Sequence, residues 1–403
     1  GIYPPFRVAA LCTFLLEVKL MEQLLSLLKT IPEYAAMVSS LQDGESVAVT
    51  GIGQINRSHM IAGLCRSINR PMVVLCQDDL AARRLQEELK GFLSDTAPIL
   101  PGRDLTLYDA AVVSRSWEQK RLRQLYDLAV GKTSLQIMTW ESLSLRTMPK
   151  AALLAAAFSL EVGREYAVED LISRLTAAGY NRCGMVEGPG QFAVRGGILD
   201  IFSPAEDRPV RAEFFGDELD TMGFFDPATQ RRSENITSVT VLPVVETQPG
   251  LHPGGVAGLC KDITSLISRQ KRRKNINEPL IATLEKDLNK YESGLHNPAS
   301  DRYMALIYPE MATAADYIPD GAVVAVCDHG NLQRAARSRC DEMGMQLDSM
   351  LGAGLVAGEL CDYVSQWEDF CKTLRRKTVV YFDTFGGTSY PEDCPPRQLY
   401  PLP

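Results

Sequence analysis

Short apolar runs alternate with amphipathic stretches over the first part of the chain. Apolar runs at 46–52, 71–76 and 134–140 are separated by stretches whose apolar residues recur at helical spacing. Apolar strands joined by helices are typical of a parallel sheet that is covered on its faces. The pattern therefore predicts an α/β domain over residues 21–149.

The pattern changes near residue 150 to short strands joined by glycine-containing turns. Gly196-Gly197 and Gly216-Asp217 each separate two short β-forming runs, which is the signal of a two-residue hairpin. We therefore predict a small α+β insert over residues 150–245. Pairing across the first turn would put four apolar residues on one face of this insert: Phe192, Val194, Leu199 and Ile201.

Beyond the insert the α/β pattern resumes. An apolar run at 322–327, followed by a helical stretch, indicates that residues 246–375 complete the first sheet. Strands from both sides of the insert should therefore share one sheet. Residues 376–403 are predicted to open a further small domain that is cut short, and residues 1–20 to be leader or expression-derived sequence.

Composition narrows the class of protein. Of 403 residues, 45% are hydrophobic and 23% are charged, as in ordinary globular proteins. The net charge of -8 argues against a surface that binds nucleic acid throughout. The ten cysteines form no C-x-x-C pair and no histidine lies at metal-ligand spacing, which disfavours metal sites and a disulfide framework. This composition favours a reducing cytoplasm.

The turn after the first predicted strand is similar to a phosphate-binding loop. Such a loop needs the pattern G-x-x-x-x-G-K-[ST], whose backbone N–H groups cradle phosphate while the lysine reaches its terminal oxygens. Gly51 and Ser58 fit this pattern, but Asn56 stands at the second glycine and Arg57 at the lysine. The Asn56 side chain would obstruct phosphate, and the Arg57 guanidinium is broader than an ammonium group. We therefore predict a degenerate nucleotide site.

Three stretches of sequence resemble a known family. They are LTLYDAAVVSRSWEQKRLRQLYDLAVG at 105–131, GPGQFAVRGGILDIFSP at 188–204 and VRAEFFGDELDTMGFFDPATQRR at 210–232. Together with the split α/β pattern, they resemble the N-terminal module of the bacterial transcription-repair coupling factors (Mfd), which is itself similar to the excision-repair helicase UvrB. The resemblance implies a P-loop-like, degenerate RecA-like domain split by a small α+β insert.

The resemblance also bears on the nucleotide site. In UvrB an acidic motif on a later strand positions Mg²⁺ and water, whereas here the corresponding strand is followed by Asp328 and His329. One of two expected carboxylates is therefore replaced, in agreement with the changes at Asn56 and Arg57. The implied module has no catalytic residue, no metal site and no cofactor.

The resemblance further implies that the insert binds UvrA. In this family the arginines of the pattern G-Y-x-R…F-x-V-R-G are the contacts, and they correspond to Arg182 and Arg195. Ala193 stands where UvrB-type sequences carry another arginine. Hairpin pairing puts Arg195 and Phe202 on the face opposite the apolar one, so Phe202 is predicted to be an aromatic anchor. A structural ion pair between Arg195 and Asp200 is the alternative.

We therefore predict a non-catalytic, cytoplasmic adaptor that recruits UvrA in transcription-coupled nucleotide excision repair. The resemblance implies that RNA polymerase and DNA are partners of the full-length family protein, that an ATP-dependent DNA translocase lies in a part absent here, and that no membrane is contacted. One alternative is a degenerate, nucleotide-dependent UvrB-like helicase fragment. The other is a DNA-binding module that uses a basic cluster at 269–274, although a solvated helix face is the favoured interpretation of that cluster.

Overall fold

A computed structural model describes residues 23–93, 96–109, 115–386 and 389–401. The predicted leader, residues 1–20, lies outside these ranges. The part before the insert contains α1 (Pro32–Gln42), β1 (Val47–Thr50), α2 (Gln54–Ser67), β2 (Met72–Cys76), α3 (Asp79–Lys90), α4 (Ser116–Ala129), β3 (Leu135–Thr139), α5 (Trp140–Ser144) and α6 (Lys150–Ala156).

The β-rich segment and the return to the first domain follow in chain order. The β-rich segment contains β4 (Phe158–Glu161), α7 (Val168–Ala177), β5 (Asn181–Arg182), β6 (Gln191–Arg195), β7 (Ile198–Ile201), β8 (Val210–Phe215), β9 (Glu218–Phe225), β10 (Arg232–Asn235) and β11 (Ser238–Val241). The rest of the chain contains α8 (Gly255–Lys271), α9 (Glu278–Glu292), α10 (Met304–Ile307), β12 (Val323–Cys327), α11 (His329–Gly352), α12 (Trp367–Leu374), β13 (Thr378–Asp383) and β14 (Gln398–Pro401).

The central sheet is parallel throughout its described strands, which lie in the order β14-β1-β13-β12-β2-β3. Strands β1, β2 and β3 precede the insert and the other strands follow it. The predicted α/β fold with a split sheet is therefore confirmed. One large apolar cluster lies on each face of this sheet, which is why its inner strands carry apolar residues without alternation.

The central sheet includes strands that we expected in a separate domain at 376–403. All six residues of β13 are buried, and this strand pairs with β1 on one side and with β12 on the other. Strand β14 pairs with β1 at the edge. The run Thr-Val-Val-Tyr-Phe-Asp lacks polar alternation because helices cover both faces of the strand. This segment therefore completes the α/β sheet.

The insert is built on a second, mainly antiparallel sheet. In the described residues its strand order is β10-β9-β8-β7-β6-β5, and only the β5–β6 pair is parallel. Strands β4 and β11, which begin and end the insert, pair with each other. The four predicted inner-face residues share one face, and Phe192, Leu199 and Ile201 are buried in a cluster with residues of α7. This face holds the insert together.

Buried charges lie where the chain returns from the insert. Glu246 is fully buried, with Oε1 3.0 Å from Nε of Arg121 and Oε2 3.7 Å from Nε of Arg103. Thr147 donates its hydroxyl to the same carboxylate, and the Met148 N–H donates to it at 3.3 Å. Burial alone raises the pKa of Glu246, but the two guanidinium groups outweigh burial and lower it. An ionised carboxylate therefore joins the insert to the α/β domain.

Among the helices of the described ranges, none is both long enough and apolar enough to cross a bilayer.

Candidate functional sites

The turn after β1 folds as the start of a helix instead of a phosphate-binding loop. Gly51 has a φ of 81°, a left-handed conformation that glycine adopts without strain. Helix α2 begins at Gln54, after its N-cap residue Gly53, and the N–H of Arg57 donates to the carbonyl of Gly53 at 3.1 Å. From Arg57 onward, the backbone N–H groups are therefore directed along the helix and do not surround an anion.

Arg57, in the position of the missing lysine, forms an internal ion pair. Its Nη2 lies 2.7 Å from Oδ2 of Asp328 and donates to Oγ1 of Thr384 at 3.3 Å. Asp328 also accepts hydrogen bonds from the N–H and the hydroxyl of Thr384, both at 3.1 Å. Burial alone lowers the pKa of Arg57, but Cys327 and Asp328 outweigh burial and raise it. A phosphate would therefore have to compete with Asp328 for Nη2 of this guanidinium.

The other two residues of the pattern also differ from a working site. Ser58, in the position whose hydroxyl would hold Mg²⁺, is buried and donates to the carbonyl of Ile55 at 2.8 Å. Asn56 is exposed on the first turn of α2. The six predicted residues of the degenerate site thus follow the carboxyl ends of two strands of the central sheet, β1 and β12. Among them, Arg57 and Asp328 are the two whose side chains form an ion pair.

His329 begins α11 beside a carboxylate that sequence reasoning missed. The ring Nδ1 lies 3.0 Å from each carboxylate oxygen of Asp383. The backbone N–H of His329 also donates to Oδ1 of Asp383, at 3.0 Å. Burial alone lowers the pKa of His329, but the hydrogen bond to Asp383 outweighs burial and raises it. Asp383 ends β13, so it was missed because residues 376–403 were assigned to another domain.

Arg195, at the end of β6, forms the ion pair that the sequence left open as an alternative. Its Nη2 lies 2.6 Å from Oδ2 of Asp200, whose side chain is buried. Arg211 holds the same carboxylate, with Nε 2.7 Å from Oδ1 and Nη2 2.9 Å from Oδ2. Because Arg211 contacts both oxygens, Arg195 is a second partner of Asp200, and 46% of its side chain stays exposed.

Phe202 is not an exposed anchor, contrary to the prediction. It lies on the outer side of the sheet, but only 8% of it is exposed. It packs in a small cluster with Val186, Ala193 and Phe225. Val186 belongs to the segment between β5 and β6, and this segment covers part of the face that hairpin pairing alone leaves open. A partner could not reach Phe202 without disrupting that cluster.

The structure provides a different exposed aromatic residue, Phe215, at the end of β8. It is 83% exposed and pairs with Glu218 beside the Gly216-Asp217 turn. Glu213 pairs with Ile198 on the face that carries Arg195, and alternation along β8 returns Phe215 to this outer face. A register shift in β9 at this point keeps Leu219 in the core beneath it. The pair of phenylalanines before a hairpin turn was the available sequence signal.

Arg182 and Arg195 are both exposed, but they do not share one face of the sheet. Arg182 is directly paired with Phe192, which lies on the inner face. Arg195 is three residues further along β6 and therefore lies on the opposite face, about 10 Å along the strand. Arg182 lies on β5, the edge strand of this sheet, and is exposed there. A partner would have to contact the edge of the sheet to touch both arginines.

The basic cluster at 269–274 is exposed around the end of α8. Lys271 lies 2.7 Å from Glu285, and Arg273 lies 2.6 Å from Glu359. These ion pairs fit a solvated helix end better than a continuous phosphate-binding surface.

Comparison with known proteins adds to this geometry. Residues 158–246 match the family described as UvrB interaction domain. The chain is 23% identical over 344 residues to the transcription-repair-coupling factor of Bacillus subtilis, covering 84% of this chain and 29% of that protein. The homologue from Staphylococcus aureus strain MRSA252 is 25% identical over the same length, with the same shares covered. The homologue from Myxococcus xanthus is 32% identical over 221 residues, 53% of this chain and 18% of that protein.

The matched family coincides with the β-rich insert from β4 to Glu246, and the similarity to the three relatives extends into the α/β part. The chain spans less than a third of the length of these relatives. The split parallel sheet, the insert and these similarities agree with one another. The chain therefore carries a UvrB interaction domain at residues 158–246 and is similar over most of its length to transcription-repair-coupling factors.

Proposed function

We propose that this module recruits UvrA in transcription-coupled nucleotide excision repair and that it does so as an adaptor without its own nucleotide chemistry. The match to a UvrB interaction domain supports the choice of partner. The internal ion pair between Arg57 and Asp328 supports the absence of nucleotide chemistry. In the full-length protein, RNA polymerase and DNA would be the further partners.

One observation carries the proposed contact site: Arg195 and Phe215 are exposed together at the turn end of the outer face of the insert. Arginine and large aromatic residues contribute most of the energy of protein interfaces when a partner excludes water from them. Arg195 donates through one nitrogen to Asp200 and keeps half of its side chain in solvent, so a carboxylate of UvrA can bind it without breaking the fold. Arg182 extends this site to the sheet edge.

Binding of UvrA to variants of the whole chain tests the site. Arg195→Ala and Phe215→Ala should each weaken binding roughly thirtyfold, which corresponds to about 2 kcal/mol, since both would be covered by the partner. Arg182→Ala should weaken binding as well. Isothermal titration calorimetry measures each dissociation constant, and thermal unfolding checks that every variant is folded.

Arg208→Ala is the matched control. Arg208 has a similarly exposed side chain, 47%, and an ion pair with Glu234 at 2.8 Å, but it lies at the opposite end of β8. Its removal should change UvrA affinity by less than threefold. Equal affinities for the parent and for the Arg195 and Phe215 variants would contradict the proposed site, and no binding by the parent chain would contradict the proposed function.

A further inference from the structure

Two cysteines lie side by side at the edge of the central sheet. Cys76 ends β2 and Cys327 ends β12, and these parallel strands are neighbours with Leu75 opposite Val326. The next step of this register puts Cys76 opposite Cys327. Neighbouring strands are about 4.8 Å apart, which is within the range of Cα separations that disulfides span. Both side chains belong to the same apolar cluster, so they lie on the same face of the sheet.

The pair is buried in the fold but borders a cavity. Cys76 and Cys327 are only 2% and 6% exposed, yet both line a cavity of about 270 Å³ together with Arg57 and Asp328. This cavity lies where a nucleotide would bind in an intact P-loop domain. A small oxidant that enters this cavity therefore meets both thiols.

The two thiols differ in reactivity. Arg57 lies near both of them, since its side chain lines the same cavity as the two thiols. The interaction with the Cys76 thiol and the positive charge of Arg57 outweigh burial and lower the pKa of Cys327, whereas the interaction with Cys327 and burial raise the pKa of Cys76. Thiolate character determines which cysteine attacks an oxidant, so Cys327 is the nucleophile and Cys76 is the resolving thiol.

We propose that Cys327 and Cys76 form a peroxide-sensitive thiol pair at the former nucleotide pocket. The Cys327 thiolate attacks one oxygen of a hydroperoxide, so that an S–O bond forms, the O–O bond breaks and the leaving oxygen takes a proton as water or an alcohol. The Cys327 sulfur is oxidised to a sulfenic acid by two electrons, and the peroxide is reduced. Cys76 then attacks that sulfur, forming the disulfide, and the hydroxyl leaves with the Cys76 proton as water. A dithiol reductant reverses the bond.

Peroxide treatment of the whole chain, followed by mass spectrometry of its peptides without reduction, tests this proposal. Cys371 and Cys394 are the matched control pair, because they too are buried and interact with each other, but they lie in the large apolar cluster on the sheet. Hydrogen peroxide should link Cys76 to Cys327 at least tenfold faster than it links the control pair, and dithiothreitol should reverse the link. No link, or equal rates for the two pairs, would overturn the proposal.

Cys76→Ser gives a second measurement, which tests whether Cys327 attacks the peroxide before Cys76 attacks the sulfenic acid. Without the resolving thiol, Cys327 should accumulate as a sulfenic acid that dimedone labels, whereas Cys327→Ser should leave Cys76 unlabelled. Labelling of Cys76 in Cys327→Ser at the rate of Cys327 in Cys76→Ser would refute the assigned roles. The parent chain needs no substitution for the linkage measurement, so the proposal stays testable if a variant fails to fold. The result is independent of UvrA binding.

Discussion

Glu246→Gln removes one negative charge from the junction between the insert and the α/β domain while keeping the size of the side chain. Arg121 would then have neutral partners alone, among them the carbonyls of Pro101 and Ser142 at 2.7 and 2.9 Å. Arg103 would still have Asp301, whose Oδ1 lies 2.9 Å from its Nη2. The substitution therefore leaves one fully buried guanidinium without a carboxylate partner.

The expected cost is large because the charge on Arg121 cannot return to water. Breaking one side of a buried ion pair typically costs about 3–5 kcal/mol. The glutamine oxygen can still accept from Arg121, so we expect about 3 kcal/mol. A domain is stable by only about 5–15 kcal/mol, so this loss is a substantial fraction of the total. Glu234→Gln is the control, since its ion pair with Arg208 is largely exposed and should cost less than about 1 kcal/mol.

Urea unfolding monitored by circular dichroism measures both variants. Glu246→Gln should lower the midpoint without changing the slope, and the control should follow the parent chain. A loss below about 1 kcal/mol for Glu246→Gln would refute the reasoning. It would mean that the carbonyl groups around Arg121 compensate its charge as well as a carboxylate does.

Three further predictions concern pH, nucleotide and the outer face of the insert. The folded-state pKa of Glu246 is lowered, so the stability that its charge contributes is fully present above about pH 4.3, the usual glutamate value. This stability is lost as the pH falls through the folded-state pKa. In unfolding titrations, acid should therefore destabilise the parent chain more steeply than Glu246→Gln. Millimolar Mg-ATP should not raise the melting temperature, because Asp328 occupies Arg57; stabilisation above about 2 kcal/mol would contradict this. Arg195→Ala should cost less than about 1 kcal/mol of stability while Asp200→Ala costs about 3, since Arg211 alone still neutralises Asp200; equal losses in chemical unfolding would argue against this order.

The sequence predicted those elements whose burial or turn geometry restricts which residues can occupy them. The apolar runs predicted β1, β2, β3 and β12, and the glycine turns predicted the hairpins of the insert. Strand β14 was not predicted because Gln398–Pro401 lies at an exposed edge, where no apolar pattern is required. The domain boundaries at 149, 245 and 375 stay predictions, except that β13 and β14 extend the α/β sheet beyond residue 375.

The sequence predicted which residues belong to the candidate sites, but it did not predict which other side chains they contact. Alternation along the hairpin gave the faces of Arg195 and Phe202, yet it could not show that Val186 covers Phe202. The register shift that keeps Leu219 in the core beneath the exposed Phe215 depends on one unpaired residue, which a period of two does not reveal. Asp383 meets His329 through sheet pairing between segments distant in sequence, and no local pattern encodes such a meeting.

In the ion pair between Arg57 and Asp328, a carboxylate of the chain itself binds the guanidinium that stands at the lysine position of the phosphate-binding pattern. Two groups on one folded chain meet at an effective concentration that solution conditions do not change. In a nucleotide-driven domain, by contrast, the bound phosphate sets the position of the surrounding segments, and hydrolysis releases them. In the proposed adaptor, this end of the sheet would therefore keep one arrangement at any ratio of ATP to ADP.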